Sequence, residues 1–330
     1  MMIVSRTPLR VSFFGGGTDY PDYFNRGRGA VVGMAIDKYV YISALRLTAS
    51  LDYRYKLSYS KVEMVTALED IQHPVVREVI RHAALTDALD MSIMADLPAR
   101  SGLGSSSSFT VGFLNLVAAL QKRQMTKLDL ARQAVFVVRE LLHENVGVQD
   151  QYHAAFGGLN RFDFVGARTR ITPVQMTAPC QAALTTSLFL LYTGVTRFAS
   201  DTLNEQMART RSGASDADLS HLLTLTDQAV DVLECEDPEA MLRDFGAMLH
   251  EGWQTKKRLS SKVSSPEIDA LYDAARAAGA LGGKLCGAGA GGFLLMLVPP
   301  PRQAAFLAAL PAVNITPVGL DTLGATILTS

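Results

Sequence analysis

A run of glycines and serines is the part of this sequence that most directly suggests chemistry. Residues 98–108 read Pro-Ala-Arg-Ser-Gly-Leu-Gly-Ser-Ser-Ser-Ser, which we call the serine loop, and an apolar stretch with helical spacing follows. Glycines let a backbone approach a phosphate closely, and the first N–H groups of a helix lack intrahelical partners. The helix dipole also favours an anion there. Because serine hydroxyls can bond phosphate or Mg²⁺, the segment predicts a phosphate-binding loop.

The serine loop has one structural alternative, a flexible loop in which a serine caps the following helix. A cap needs one serine rather than four, so we favour phosphate binding. Two common nucleotide-binding motifs do not fit. No lysine follows the glycines as in a GxxxxGK[ST] loop, and the segment is not a GxGxxG turn after a first strand.

Two further segments carry glycines next to polar groups. Residues 282–292 contain six glycines before an apolar run, which allows tight turns and close packing against another loop. A structural turn before the last core strand is the alternative. Near the N-terminus, Arg10 stands at the start of a β-rich stretch, glycines at 15–17 end it, and Asp19 follows. These two charges could converge on one site, although a surface ion pair and a turn aspartate would give the same pattern.

The hydrophobic pattern predicts the elements that would position these segments. Alternating or apolar stretches predict strands at 10–14, 38–45, 53–59, 90–95, 187–192 and 293–298. Helical spacing and caps predict helices at 73–86, from 106, at 126–144, 200–211, 216–235, 238–259 and 266–278. Prolines and polar residues between 163 and 183 interrupt the pattern. We therefore predict two domains, residues 1–175 and 176–330.

Composition excludes several classes of function. The 330 residues carry a formal net charge of -1, which disfavours nucleic acid and anionic membranes as partners. The cysteines Cys180, Cys235 and Cys286 cannot all pair and form no CxxC motif, so we expect a reduced, cytoplasmic protein. The N-terminus has no signal-peptide core, and residues 293–298 are too few to span a bilayer.

Taken in order, the three segments resemble those of the GHMP kinases, which include galactokinase, homoserine kinase, mevalonate kinase and phosphomevalonate kinase. The central family motif, Pro-x-x-x-Gly-Leu-Gly-Ser-Ser, matches residues 98–106 position for position, and the resemblance covers nearly the whole chain. It implies an α+β fold with an N-terminal domain like ribosomal protein S5 domain 2. A ferredoxin-like α/β sandwich would form the C-terminal domain, and ATP and substrate would meet between the two.

Within that family, the chain is most similar to the D-glycero-D-manno-heptose 7-phosphate kinases. The local matches lie at 6–19, 147–152, 157–160, 193–197 and 253–257. This similarity implies ATP-dependent phosphorylation of the anomeric hydroxyl to the 1,7-bisphosphate, in nucleotide-activated heptose biosynthesis for surface polysaccharide. L-fucose kinases share much of the pattern, so an L-fucose kinase or another sugar 1-kinase stays an alternative. A catalytically inactive nucleotide- or sugar-binding sensor is a second one.

The resemblance also implies roles for individual residues. The expected ATP-binding residues are Pro98, Ser101, Gly102, Leu103, Gly104, Ser105, Ser106 and Ser107. Asp150 matches the catalytic aspartate of a Gly-x-x-Asp-Gln motif and would accept or orient the proton of the acceptor hydroxyl. Arg10 matches the arginine that pairs with it. The alternatives are an N-cap of a helix from Gln151 for Asp150 and a solvated surface position for Arg10.

On the substrate side, Asp19 matches the residue that binds sugar hydroxyls. The expected substrate-binding residues are Gly16, Gly17, Thr18, Asp19, Arg197, Gly287 and Gly289. A substrate phosphate would need cations, for which the sequence leaves four candidates open. They are Arg26, Arg197, Lys256 and Lys257, and the lysines could equally complement a helix dipole.

ATP and Mg²⁺ are the expected cofactors. A hydroxyl of Ser105 or Ser106 would contact the metal, which favours hard oxygen ligands. Related sequences often carry a glutamate twelve residues before the catalytic aspartate, but here that residue is Val138. Glu140 is the best available match, with a solvated helix face as the alternative. We expect ATP and a sugar or sugar phosphate as binding partners, and the sequence leaves a homodimer open.

Overall fold

The computed structural model describes residues 2–48, 51–194 and 200–329. The elements of the first half are, in chain order, β1 (Met2–Phe14), α1 (Pro21–Phe24), β2 (Gly29–Arg46), β3 (Tyr55–Ser58), β4 (Val62–Val65), α2 (Pro74–His82), β5 (Leu89–Ala95), α3 (Ser105–Leu120), α4 (Lys127–Phe136), α5 (Gln149–Phe156), β6 (Leu159–Val165) and β7 (Arg168–Pro173). The predicted strands and helices of this half are present. Two helices are shorter than predicted, because α2 ends before a turn at Ala84 with a φ of 48° and α4 changes at Val137 into a wider π-helical turn.

The second half is mostly helical, as predicted. Its elements are α6 (Ala178–Thr186), β8 (Leu188–Tyr192), α7 (Ser200–Arg211), α8 (Asp216–Leu233), α9 (Pro238–Lys257), α10 (Pro266–Ala277), β9 (Gly282–Leu285), β10 (Phe293–Leu297), α11 (Gln303–Ala309), β11 (Ile315–Pro317) and β12 (Thr326–Thr329). Local capping explains several helix starts. The Ser265 side chain accepts a hydrogen bond from the Ile268 N–H, directly before Pro266 at the first helical position. Among the described residues, no helix is long and apolar enough to cross a membrane.

The larger sheet joins eight strands of the described chain. Its main path runs β12-β1-β2-β5-β3-β4, and β6 pairs with β2 and β7. The long strand β2 serves two neighbours, because residues 29–34 pair with β6 and residues 40–46 pair with β5. Helix α3 packs across β1 and β2, so its buried face and the strand that carries Arg10 form one unit.

The smaller sheet has the order β11-β8-β10-β9, and its neighbouring strands are antiparallel. In the second half, β8 is followed by helices, then the pair β9 and β10, then α11 and β11. This is the β-α-β-β-α-β arrangement of a ferredoxin-like unit, with extra helices after the first strand. The α+β fold with a ferredoxin-like second part is therefore confirmed. The last strand, β12, returns to the larger sheet and pairs with β1.

The two halves share a core where β1 meets α9. The ring of Phe245 lies 5.1 Å from that of Phe13 and 5.4 Å from that of Phe14, in edge-to-face geometry, and these rings are fully buried. Aromatic pairs of this kind add to the free energy of apolar burial. The contact fixes the end of β1 against the helix whose last turn carries Lys256. A cleft opens directly beyond this contact.

Candidate active site

The cleft between the two halves has a volume of about 240 Å³. Its walls come from the turn after β1, the serine loop with the start of α3, the segment 144–150, the end of α9 and the loop after β9. Most of the residues predicted for the site line this cleft. They are Arg10, Gly16, Gly17, Asp19, Gly102, Gly104, Ser105, Ser106, Ser107, Asp150, Lys256 and Gly287.

The serine loop ends where α3 begins. Gly104 is the N-cap residue and has a left-handed φ of 77°, and no side chain caps the helix. The N–H groups of Ser105 to Ser107 therefore stand at the positive end of a 16-residue helix that faces the cleft. The capping alternative for these serines is wrong. The arrangement provides backbone donors and hydroxyls for an anion, which fits the phosphates of a nucleotide.

Three predicted ATP-binding residues do not line the cleft. Pro98 is exposed, while Ser101 and Leu103 are fully buried. The Leu103 carbonyl accepts a hydrogen bond of 3.0 Å from the Arg10 backbone N–H, which ties the serine loop to β1. These side chains shape the loop from outside the cleft.

The two glycine-rich loops pack backbone against backbone. A Cβ on Gly102 would lie 2.4 Å from the Cys286 carbonyl oxygen, and one on Gly287 would lie 2.5 Å from the Gly102 Cα. Both glycines have positive φ angles, so a side chain would be strained as well as crowded. The predicted packing of this loop against another is thus present. Gly289, predicted to bind substrate, instead packs against Val263 and does not line the cleft.

Arg10 and Asp150 form a bidentate ion pair at the centre of the cleft. The Arg10 Nε donates to Asp150 Oδ1 at 2.8 Å, and Nη2 donates to Oδ2 at 2.9 Å. Nη1 donates to the Gly102 carbonyl oxygen at 2.7 Å, so one guanidinium joins the aspartate to the serine loop. Arg10 is 5% exposed and is not a solvated surface arginine. Asp150 lies inside the first turn of α5, whose N-cap is Val148, so its interpretation as an N-cap is wrong.

Asp19 connects the turn after β1 to the start of α5. It is 1% exposed and accepts hydrogen bonds from the Gly17 N–H at 3.0 Å and the Gln149 N–H at 3.4 Å. Burial raises the pKa of its carboxyl, partly offset by the hydrogen bond from Gly17. Thr18 does not reach the cleft, because its buried hydroxyl lies within hydrogen-bond distance of the Gly15 and Ala30 carbonyl oxygens.

Of the four candidate cations for a substrate phosphate, only Lys256 lines the cleft among the described residues. Arg26 forms an exposed ion pair with Asp216, and the Lys257 ammonium lies 3.2 Å from Asp269. Arg197 lies outside the described residues. Lys256 is 8% exposed, and burial lowers the pKa of its ammonium to about 8.

Of the two glutamates that precede Asp150 in this part of the chain, Glu144 rather than Glu140 lines the cleft. The π-helical turn of residues 137–141 widens the helix, and the Glu144 N–H bonds to the Val138 carbonyl at 3.0 Å. The chain therefore folds back, and Glu140 stays exposed outside the cleft. Although Glu144 is largely exposed as a residue, partial burial raises the pKa of its carboxyl. No cluster of three histidine, cysteine or acidic residues suited to a metal occurs in the described part.

Besides Glu144, six polar residues of the cleft were not predicted for the site. They are Ser12, Tyr20, Arg100, Gln149, Gln206 and Lys284. The Ser12 Oγ and Gln149 Oε1 atoms have no hydrogen-bond partner among the described residues. Gln149 stands beside Asp150 in a motif that was recognised, and Lys284 lies inside the second glycine-rich segment. The motifs that adjoin Gln149 and contain Lys284 could therefore have indicated that these two residues belong to the site.

A helix N-terminus with free serine hydroxyls, facing an aspartate that an arginine holds, is the arrangement of a kinase that phosphorylates small molecules. Family models agree with this class: residues 64–158 match the GHMP kinases N-terminal domain and residues 239–315 match the GHMP kinases C-terminal domain. Together the two matches cover about half of the chain. The chain belongs to the GHMP kinase family, and it is an ATP-dependent phosphotransferase of the sugar-kinase type.

Individual relatives show which kinds of GHMP kinase this chain is similar to. A D-glycero-alpha-D-manno-heptose 7-phosphate kinase of Campylobacter jejuni is 28% identical, and the match covers 93% of each chain. An L-fucokinase/L-fucose-1-P guanylyltransferase of Bacteroides fragilis is 24% identical over 92% of this chain and 35% of that longer protein. A crystal structure described as a D-glycero-D-manno-heptose 1-phosphate kinase from Bacteroides thetaiotaomicron has a TM-score of 0.75 at 24% identity, over 99% of both chains. The last likeness shows the shared fold.

Proposed function

We propose that this kinase transfers the γ-phosphoryl group of ATP to the anomeric hydroxyl of D-glycero-D-manno-heptose 7-phosphate, giving the 1,7-bisphosphate. The observation that carries the proposal is the 28% identity with a heptose 7-phosphate kinase over 93% of both chains. A buried cation in the cleft, Lys256, agrees with a substrate that carries a phosphate.

Asp150 and Arg10 act on the acceptor hydroxyl and the transferred group. Asp150 accepts a hydrogen bond from the anomeric hydroxyl and so aims its oxygen at the γ-phosphorus. As the new O–P bond forms and the bond to the ADP oxygen breaks, Asp150 takes the hydroxyl proton. Arg10 stabilises the negative charge that spreads over the transferred group, since its guanidinium reaches both Asp150 and the serine loop.

The phosphates of ATP bind at the N-terminus of α3. The N–H groups of Ser105 to Ser107 and the helix dipole hold them. Mg²⁺, when bound, neutralises charge on the transferred phosphoryl group. The cleft offers oxygen donors for it in the hydroxyls of Ser105 and Ser106 and the carboxylate of Glu144. Mg²⁺ keeps several waters and takes few protein carboxylates beside substrate phosphates, so this small donor set fits.

The division of the chain into domains and its cellular location can also be proposed. We infer two domains, with the division near residue 175, since β7 ends at Pro173 and α6 begins at Ala178. The three cysteines are free, which supports a reducing, cytoplasmic location.

The test is ADP release by the purified protein with a panel of acceptors. The panel contains the heptose 7-phosphate, the unphosphorylated heptose, L-fucose, D-galactose and mevalonate. We expect turnover with the heptose 7-phosphate, and phosphorus NMR of the product should show a second phosphate on the anomeric oxygen. Preferred turnover of L-fucose would favour the fucokinase alternative, in line with the similarity to the Bacteroides fragilis protein. No turnover with any sugar would defeat the proposal.

A further inference from the structure

Two lysines form the floor of the cleft, and both are almost fully buried. Lys256 lies in the last turn of α9 and is 8% exposed, and Lys284 lies in β9 and is 7% exposed. The Lys284 Nζ donates to the Phe13 carbonyl oxygen at 2.9 Å. The Lys256 Nζ donates to the Leu285 carbonyl at 3.3 Å and to that of Gly287. Main-chain carbonyls therefore hold both ammonium groups in place.

These two lysines have no carboxylate partner among the described residues. No Asp or Glu oxygen lies within the 4.0 Å ion-pair distance of either Nζ atom. Asp19 is the nearby acid, but backbone N–H groups already bind it. Burying an unpaired charge costs several kcal/mol of folding free energy, and the second like charge adds to the cost. A pair of this kind is expected where a bound anion completes the site.

We propose that Lys256 and Lys284 form an anion subsite that binds the phosphate group of the sugar substrate. The identity of that substrate rests on the proposed function, while the subsite itself rests on the buried, carboxylate-free pair. A phosphate dianion would accept hydrogen bonds from both ammonium groups and supply the missing negative charge. The enzyme would then bind a sugar phosphate far better than the corresponding free sugar.

The position of the pair favours the substrate phosphate over those of ATP. The nucleotide phosphates have their own donors at the start of α3. Lys284 bonds to Phe13, two residues before the turn at 15–19 that faces the sugar. Lys256 is followed one turn later by Leu259, which lines the cleft and, with Gly17 and Gln206, a small continuation of it. The Lys284 ammonium therefore borders the acceptor side, while Lys256 lies between that side and the loop that packs on Gly102.

The charge environment supports the same assignment. Burial lowers the pKa of both lysines, that of Lys256 to about 8. The nearby charge of Arg10 lowers both pKa values further, and Lys256 also lowers that of Lys284. Cys286 and Asp19 oppose this shift in both cases. A bound dianion would raise both pKa values, so the ligand should bind together with protons near pH 8. Proton uptake can be measured by calorimetry in buffers of different ionisation enthalpy.

The experiment compares Lys284→Met with the matched control Lys257→Met. Lys257 is the neighbouring lysine on α9, but its ammonium pairs with Asp269 away from the cleft. For each protein, kcat/KM is measured with the heptose 7-phosphate and with the unphosphorylated heptose. We expect the ratio of the two values to fall at least about thirtyfold in Lys284→Met, mostly through KM, and to stay within about twofold in the control.

Thermal unfolding separates a binding role from a structural one. Methionine has nearly the shape of lysine without its charge, so Lys284→Met should unfold at the same or a higher temperature than the wild type. A lysine kept only for its bond to Phe13 would instead lower the unfolding temperature and leave the ratio unchanged, which would overturn the proposal. An equal fall of kcat for both sugars at an unchanged ratio would also overturn it, because the pair would then serve the transferred phosphoryl group.

A second measurement keeps the subsite testable if the proposed substrate is wrong. Binding of inorganic phosphate is measured by calorimetry with a saturating non-hydrolysable ATP analogue, which fills the serine loop. Weaker phosphate binding in Lys284→Met than in Lys257→Met would support the anion subsite even if the wild type fails to turn over any heptose. Equal binding in the two variants, or no binding by the wild type, would overturn it.

Discussion

Two regions of the cleft differ in how their charged side chains are neutralised. Where the phosphoryl group is transferred, Arg10 pairs with Asp150, and the start of α3 supplies backbone donors. On the floor, Lys256 and Lys284 rest on carbonyl oxygens alone. The first region is complete before a ligand binds, which suits a reaction step common to kinases. The second is incomplete without an anion, which suits selection of one substrate. Catalysis and selectivity should therefore respond to different substitutions.

The largest effect should follow from removing the Asp150 carboxylate, which lies where the phosphoryl group is transferred. Asp150→Asn should lower kcat about 10²- to 10⁴-fold, because the amide cannot accept the proton and no longer pairs with the Arg10 charge. Steady-state ADP release checks this value, with Asp216→Asn as the control. Asp216 also pairs with an arginine, but the pair is exposed and should matter little. A full rate in Asp150→Asn would remove this residue from the chemistry.

The second largest effect should follow from a substitution at the contact between the two glycine-rich loops. Gly102→Ala should cost about 1–3 kcal/mol of stability and weaken nucleotide binding, since the new Cβ would press on the Cys286 carbonyl at a φ of 81°. The control is Gly166→Ala, at a φ of 53° with open space around it, which isolates the backbone strain. Chemical denaturation and nucleotide titration measure both effects. Equal losses in the two variants would mean that packing between the loops contributes nothing.

Substitution of Glu144, which we propose as an oxygen donor for Mg²⁺, should have a smaller effect. Glu144→Gln should raise the Mg²⁺ concentration for half-maximal rate about tenfold, whereas Glu140→Gln should leave it unchanged. Glu144 lines the cleft and Glu140 does not. Rates measured across a Mg²⁺ titration give the comparison. The reverse order of effects would restore Glu140 as the ligand expected from the sequence.

The sequence predicted the site of phosphoryl transfer better than it predicted the floor of the cleft. The serine loop, α3 and the strand before them follow from local rules, because glycine, serine and helical spacing act within a few residues. Arg10 and Asp150 were found because their motifs are recognisable. The bidentate geometry itself depends on β1 and α5 meeting, which residues 140 positions apart do not reveal.

The two lysines on the floor of the cleft were harder to predict, because their positions depend on burial and on the direction of a helix turn. Lys284 sits between glycines whose spacing attracts attention, and only the fold buries its side chain against β1. Lys256 and Lys257 look alike in sequence, but the last turn of α9 aims one into the cleft and the other towards Asp269. Glu140 does not line the cleft, because a π-helical turn shifts the register by an amount that no helical periodicity predicts. Burial and register, rather than residue type, decided these cases.

The smallest effect, and the sharpest test of the contrast, is the pH dependence of substrate selectivity. Lys256 attracts a phosphate only while its amino group is protonated, and burial lowers the pKa of that group to about 8. The ratio of kcat/KM for the phosphorylated and free sugar should therefore fall about fourfold between pH 7 and 8.5. Effects of pH that are common to both sugars, such as those on ATP, cancel in this ratio. Lys256→Met should make the ratio low and independent of pH.

Folding stability should move in the opposite direction. The unfolded chain holds the Lys256 proton up to the ordinary pKa of 10.5, while the folded chain releases it near 8. The unfolded state thus binds more protons between these values, and the contribution of Lys256 to stability rises with pH there. Denaturation at pH 7.5 and 9.5 should show this rise in the wild type and a smaller one in Lys256→Met. If selectivity and stability changed in the same direction, the charge on the floor would not be the cause of both.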